Sequence, residues 1–111
     1  MTLQQPADIS FANIAKAMKS VDPNVLSVFP LLEGARGKVI LAVWPPKTSQ
    51  ECLHQSSEEE YAVVLAGLIT DEDGTKHGPG ALWLRPGGHV HHPRSGPEGA
   101  QVLLWRSTPL E

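Results

Sequence analysis

The chain has 111 residues, room for one domain with one modest core. Ten prolines and ten glycines favour short strands and turns over long helices. A formal charge of −3 with scattered basic residues leaves no footprint for nucleic acid, and no apolar run reaches the roughly 18 residues a membrane helix needs.

The N-terminal Met-Thr-Leu-Gln-Gln-Pro has no basic region followed by an apolar one, so a secretory signal is not expected. One cysteine cannot form an internal disulfide. Both features point to the cytoplasm. Residues 8–21 predict one amphipathic helix: Phe11, Ile14, Ala15 and Met18 share a face, and Asp8 or Ser10 would cap it. Asp22-Pro23-Asn24 ends it, because proline cannot continue the ladder.

Short strands follow. Val25 to Phe29 is the first candidate, and Gly34-Ala-Arg-Gly37 is a turn. Lys38 to Trp44 is a continuous apolar strand stopped by Pro45-Pro46, and Ser49 to His54 is a weaker one. Tyr61 to Thr70 is strong, and Asp71-Glu-Asp73-Gly74 is a hairpin signal because Asp-Gly supplies positive φ at low cost. Ala81 to Arg85, His89 to His91 and Gln101 to Arg106 complete the set. Strands at about ten-residue spacing predict an all-β sandwich or barrel.

A chemical constellation sits on this frame. A metal held by imidazoles and carboxylates needs three or four ligands about 2.0–2.2 Å from one point. A barrel supplies them from inward positions on neighbouring strands. The turn Pro86-Gly87-Gly88 fixes the strand that carries His91. His89 shares the face of His91, and His92 points the opposite way. His89 could then be a ligand, a supporting group or a substrate contact. Trp83 and Arg85 also share a face; they could line a pocket, and Arg85 could meet a carboxylate or lie exposed. His77, beside the hairpin, is expected at the surface.

Gly80, Pro86, Gly88 and His91 match the second motif of the cupin family in spacing: Gly, five residues, Pro-x-Gly, two residues, His. Ser95 stands where that motif has Asn. Glu60 and Gly67 match the second half of the first cupin motif. Its first half departs: Cys52 takes the place of the first histidine in Cys52-Leu-His54, and five residues separate His54 from Glu60. The Tyr61–Gly67 run sets the register and favours Glu60 over Glu58 and Glu59. The chain thus resembles a small single-domain cupin over roughly residues 38–106, with a helix and arm over about 1–37. It is most similar to the metal-binding cupin domain of ChrR-type anti-sigma factors, which also joins its motifs through an acidic-Gly hairpin.

The resemblance implies a double-stranded β-helix, a jelly-roll barrel with one short N-terminal helix. It implies a divalent metal ion (zinc, iron, manganese or nickel) held by His54, Glu60 and His91. Cys52 would be a fourth ligand or a buried small hydrophobe. It implies a small-molecule ligand beside Trp83, Arg85 and His89, with Glu60 as metal ligand or general base. The expected function is a metal-dependent enzyme of dioxygenase, isomerase or lyase type; the alternative is a non-catalytic sensor or ligand-binding module. Small cupins commonly pair, so a homodimer is expected, with Val25 to Phe29 as the candidate exchanged strand. Neither nucleic acid nor membrane is an expected partner.

Overall fold

Asn13 decides where the helix begins. The computed structural model describes residues 9–50, 52–53, 58–88 and 90–107, with Cys52 and Leu53 described through their backbone. Helix α1 is Ile14–Met18, shorter than the sequence predicts. Asn13 is extended (φ −136°, ψ 118°), and its side chain accepts from the Lys16 N–H at 2.9 Å. Ser10 therefore precedes the helix rather than capping it, Asp8 lies outside the described residues, and Phe11 is 85% exposed.

Eight strands follow: β1 (Ser27–Gly34), β2 (Gly37–Trp44), β3 (Cys52–Leu53), β4 (Glu59–Thr70), β5 (Lys76–His77), β6 (Leu82–Arg85), β7 (Val90–His91) and β8 (Arg94–Ser107). The main sheet runs β1-β2-β8-β4-β5, and β6 also pairs with β4; β3 and β7 form a second, two-stranded sheet. All described pairings of named strands are antiparallel.

Two expectations change. The segment expected as an exchanged strand is an outer strand of the chain's own sheet: Ser27, Val28 and Phe29 pair with Val43, Ala42 and Leu41, and Val25 precedes the strand. Strand β8 starts at Arg94, not Gln101. Ser95-Gly96-Pro97-Glu98-Gly99 reads as a loop by composition, yet it carries β8 round a bend while β4 bends beside it. The β4–β8 register shifts between Val64 and Ala66 and again between Gly67 and Ile69.

The bend is packed backbone against backbone. Gly67 has φ +79°, and a Cβ there would overlap the Gly99 carbonyl oxygen and come within 2.7 Å of the Ala100 Cα. Gly99 has φ +77°, and its Cβ would overlap the Trp44 carbonyl oxygen. Beyond the bend, Ile69 and Thr70 pair with His77 and Lys76 on one side and with Ser95 and Arg94 on the other.

Alternation sorts the side chains into rows across the strands. On the inner face Val28, Ala42, Val102 and Val64 are in register, and so are Pro30, Ile40, Leu104, Ala62 and Trp83. The buried core is Ala42, Trp44, Ala62, Val64, Ile69, Ala100 and Val102, with Leu26, Ala81, Trp83 and Leu104 packed against it. The next inner row is charged: Glu33, Lys38, Arg106, Glu60 and Arg85. The outer face is also apolar, through Phe29, Leu41, Leu103, Val63 and Leu82, then Leu32, Val39, Trp105, Tyr61 and Leu84. No helix among the described residues is long and apolar enough to cross a membrane.

Candidate functional site

The polar ends of the inner rows open onto a cavity of about 120 Å³. Its wall is largely aliphatic, through residues such as Val28, Ile40, Val102 and Leu104, and carries Glu60, Trp83, His91 and Arg106.

Of the acidic run, Glu60 is the inward member: it is 3% exposed, Glu58 is half-buried and Glu59 is exposed. That follows from β4, where Glu60 alternates in phase with Ala62 and Val64, both in the core. Its carboxylate is matched by donors on both neighbouring strands. On β6, the Trp83 indole N–H donates to Oε2 at 3.2 Å, and Arg85 Nε stands 3.9 Å from the same oxygen. On β8, Arg106 Nη2 stands 3.5 Å from Oε1.

Arg85 does not reach the cavity as a free cation. Its Nη2 donates to Asp71 Oδ1 at 2.6 Å, and its guanidinium lies over the Trp83 ring at 5.3 Å. The carboxylate that the sequence allowed for Arg85 is therefore the chain's own. Asp71 Oδ2 also meets His77 Nε2 at 2.8 Å, and the His77 ring lies 5.2 Å from that of Trp83. His77 is thus not a free surface residue: its side chain is 16% exposed and belongs to a chain of groups running to Glu60.

His91 is 4% exposed and faces the cavity, while His92 is exposed, as their alternation predicts. In the β3–β7 ladder Cys52 stands directly across from His91. The His92 N–H donates to Glu72 Oε2 at 3.3 Å, tying this strand to the acidic turn. Hydrogen bonds from its own backbone and from that of His92 hold the Glu72 carboxyl below the usual carboxylate range. Asp73, which accepts from the Thr75 N–H at 2.9 Å, is held low in the same way. Ser95, 2% exposed, closes the other flank. Its hydroxyl donates to the Pro45 carbonyl and accepts from the Thr48 N–H at 2.9 Å, so it latches the loop after β2 onto β8.

His54 and His89 lie outside the described residues. Among the described residues no three His, Cys, Asp or Glu side chains cluster as a metal set. A metal would fit at His91, a buried imidazole on the cavity wall. It fits less well at Glu60, because a carboxylate between two guanidiniums has little charge left to offer a dication.

Arg106 is the site residue that sequence reasoning missed. Ala100, Val102, Leu104 and Arg106 alternate along one strand, and that period of two was the available signal.

Solved structures resemble this architecture closely. The cupin domain of an XRE family transcriptional regulator from Enterobacter cloacae matches with a TM-score of 0.69 at 19% identity, covering 78% of this chain and 99% of that one. An RmlC-like cupin protein from Desulfovibrio desulfuricans matches at 0.66 and 15%, covering 98% and 100%. The fold is a cupin fold. KdgF from a Halomonas species matches at 0.70 and 15%, covering 94% of this chain and 97% of that one. At these identities the cupin likeness is one of fold. No family model matches the sequence, and no curated protein is a significant match to it.

Proposed function

We propose that this cupin-fold chain binds a small organic molecule in the cavity beside Glu60 and His91 and acts on it with a divalent metal ion. The observation that carries the reading is that two buried polar side chains, a carboxylate and an imidazole, converge on one largely apolar cavity. In this reading His91, with His54 and Cys52, holds the ion, which can be zinc, iron, manganese or nickel. When bound, the ion supplies Lewis acidity to a ligand oxygen or activates dioxygen.

The chain's own residues do the rest. The aliphatic wall excludes water and orients the ligand. Glu60, fixed by Trp83 and flanked by Arg85 and Arg106, stands where it can accept a proton from the ligand. The likeness to ChrR-type domains enters here through the acidic-Gly hairpin, whose Glu72 supports the His91 strand. The pairing of Glu60 with two guanidiniums favours a second reading, a ligand-binding module without catalysis, because it neutralises the carboxylate without a metal.

Elemental mass spectrometry on protein purified without added metal tests the first reading, with His91→Ala, Cys52→Ala and Glu60→Gln beside the parent. One equivalent of metal, lost in His91→Ala and kept in Glu60→Gln, is the expected result. Absence of metal from every preparation, with none taken up on reconstitution, would leave the ligand-binding module.

A homodimer is part of the proposal. An antiparallel sheet with one solvated face normally alternates apolar and polar residues. Here the outer rows are apolar, Leu82 and Leu84 are 70% and 54% exposed, and Trp105 stacks on Tyr61 at 5.6 Å. Sedimentation velocity should give a dimer for the parent and a monomer for Leu84→Lys.

A further inference from the structure

We infer that Arg106 receives the anionic end of the cavity's ligand, and that the ligand class is a small monocarboxylate with an apolar body. The inference deepens the proposed function and rests on its small-molecule cavity.

The two arginines of the charged row differ in whether they line the cavity. Arg85 is committed outside the cavity: Asp71 holds Nη2 at 2.6 Å and its plane covers Trp83, although its Nε, like that of Arg106, is buried with no acceptor among the described residues. Arg106 lines the cavity. Its one described ion pair is a loose 3.5 Å approach to Glu60 Oε1. Among the described residues its Nε is buried with no acceptor. A buried guanidinium N–H without an acceptor is costly, and a ligand oxygen would relieve that cost.

The geometry selects the class. A guanidinium presents parallel N–H groups that match a carboxylate in bidentate fashion. Asp71 is taken by Arg85 and His77, so Glu60 is the carboxylate that Arg106 shares with its neighbour. An incoming anion therefore finds one guanidinium on the cavity wall with an unused edge, which suits a single negative charge better than a phosphate dianion. Beyond Arg106 the wall is Val28, Ile40, Ala42, Val102 and Leu104, which suits a hydrocarbon body. The size of the cavity, about 120 Å³, keeps that body small.

The test uses the full chain as purified, with its metal content recorded. Probes are 3-methylbutanoate and benzoate, the corresponding neutral amides, and inorganic phosphate. The readout is the indole N–H resonance of Trp83, assigned with Trp83→Phe, because that group lines the cavity and bonds Glu60. The expected result is a saturable shift with the carboxylates at affinities at least tenfold tighter than with the amides. In Arg106→Gln the carboxylate affinity should fall at least tenfold while the amide affinity holds; Arg106→Lys should fall between. Thermal melts confirm that the variants are folded.

Equal binding of acid and amide, or unchanged acid binding in a folded Arg106→Gln, overturns the assignment of Arg106 and leaves the cavity reading standing. Phosphate binding as tight as carboxylate overturns the ligand class. No shift with any probe overturns both the inference and the small-molecule cavity. Metal content in the same samples reports on the metal separately.

Discussion

Strand β4 holds two contrasting places seven positions apart in the motif that links them. At Gly67 backbone lies on backbone, with no side chain between β4, β8 and the end of β2. At Glu60 three adjacent strands bring charged side chains together: Arg85, Glu60 and Arg106. The first place is tolerant of chemistry and intolerant of volume. The second is tolerant of volume, since it borders a cavity, and intolerant of unmatched charge. A fold keeps rigid the corner that shapes the barrel and places its polar groups where the barrel opens.

Substitutions at each place should separate these two kinds of intolerance. Gly67→Ala should cost the most, about 4 kcal/mol or more, since the Gly99 carbonyl blocks a Cβ and φ is positive. Denaturant melts should show a destabilised or unfolded chain, and a native-like midpoint would break the contrast. Arg85→Met keeps volume but takes from Asp71 its shortest partner and from Glu60 one of its two neighbouring cations among the described residues. Their side chains are 13% and 4% exposed, so a loss of about 3 kcal/mol is expected. Restoring charge balance with Asp71→Asn in the same chain should recover part of it.

Gly80→Ala sharpens the point about volume. Gly80 also has positive φ (+86°), but a Cβ there meets nothing within 4 Å. The cost should be the conformational part alone, about 1–2 kcal/mol, read from the same melts. The smallest effect concerns Glu72. Its carboxyl is held low in the folded chain, so its contribution is full above the unfolded value and is lost as pH falls through the folded one. Melting temperature should therefore drop slightly more steeply on the acid side of the carboxylate range in the parent than in Glu72→Gln.

Much of this contrast could be read in the sequence. The unbroken apolar run of β2 and the Tyr61–Gly67 run of β4 set strand and register, and register put Glu60 inward. The Asp-Gly turn follows from local conformational preference, and Gly74 indeed carries φ +86°. Contacts between distant strands were not legible. Arg106 reads as a strand-end cation until β8 is laid beside β4, and His77 reads as exposed until Asp71 and Trp83 close on it. The start of β8 was hidden because Ser95-Gly96-Pro97 has loop composition, although Gly96 packs where a Cβ would stand 3.0 Å from Leu68. The helix is shorter than its apolar spacing predicts, because spacing alone does not reveal that Asn13 caps and Phe11 stays outside.

The sheet order has a consequence for how the chain is made. β8 emerges from the ribosome after the other described strands, yet it sits in the middle of the sheet, between β2 and β4. Until it emerges, β2 and β4 each present an unpaired edge, and β2 is strongly apolar. The nascent chain is then two hairpin-like pieces, β1–β2 and β4–β6, joined by the short β3–β7 pair and waiting for a central stave. Its most aggregation-prone moment during translation is the interval just before β8 docks, and the same docking event delivers Arg106 to Glu60.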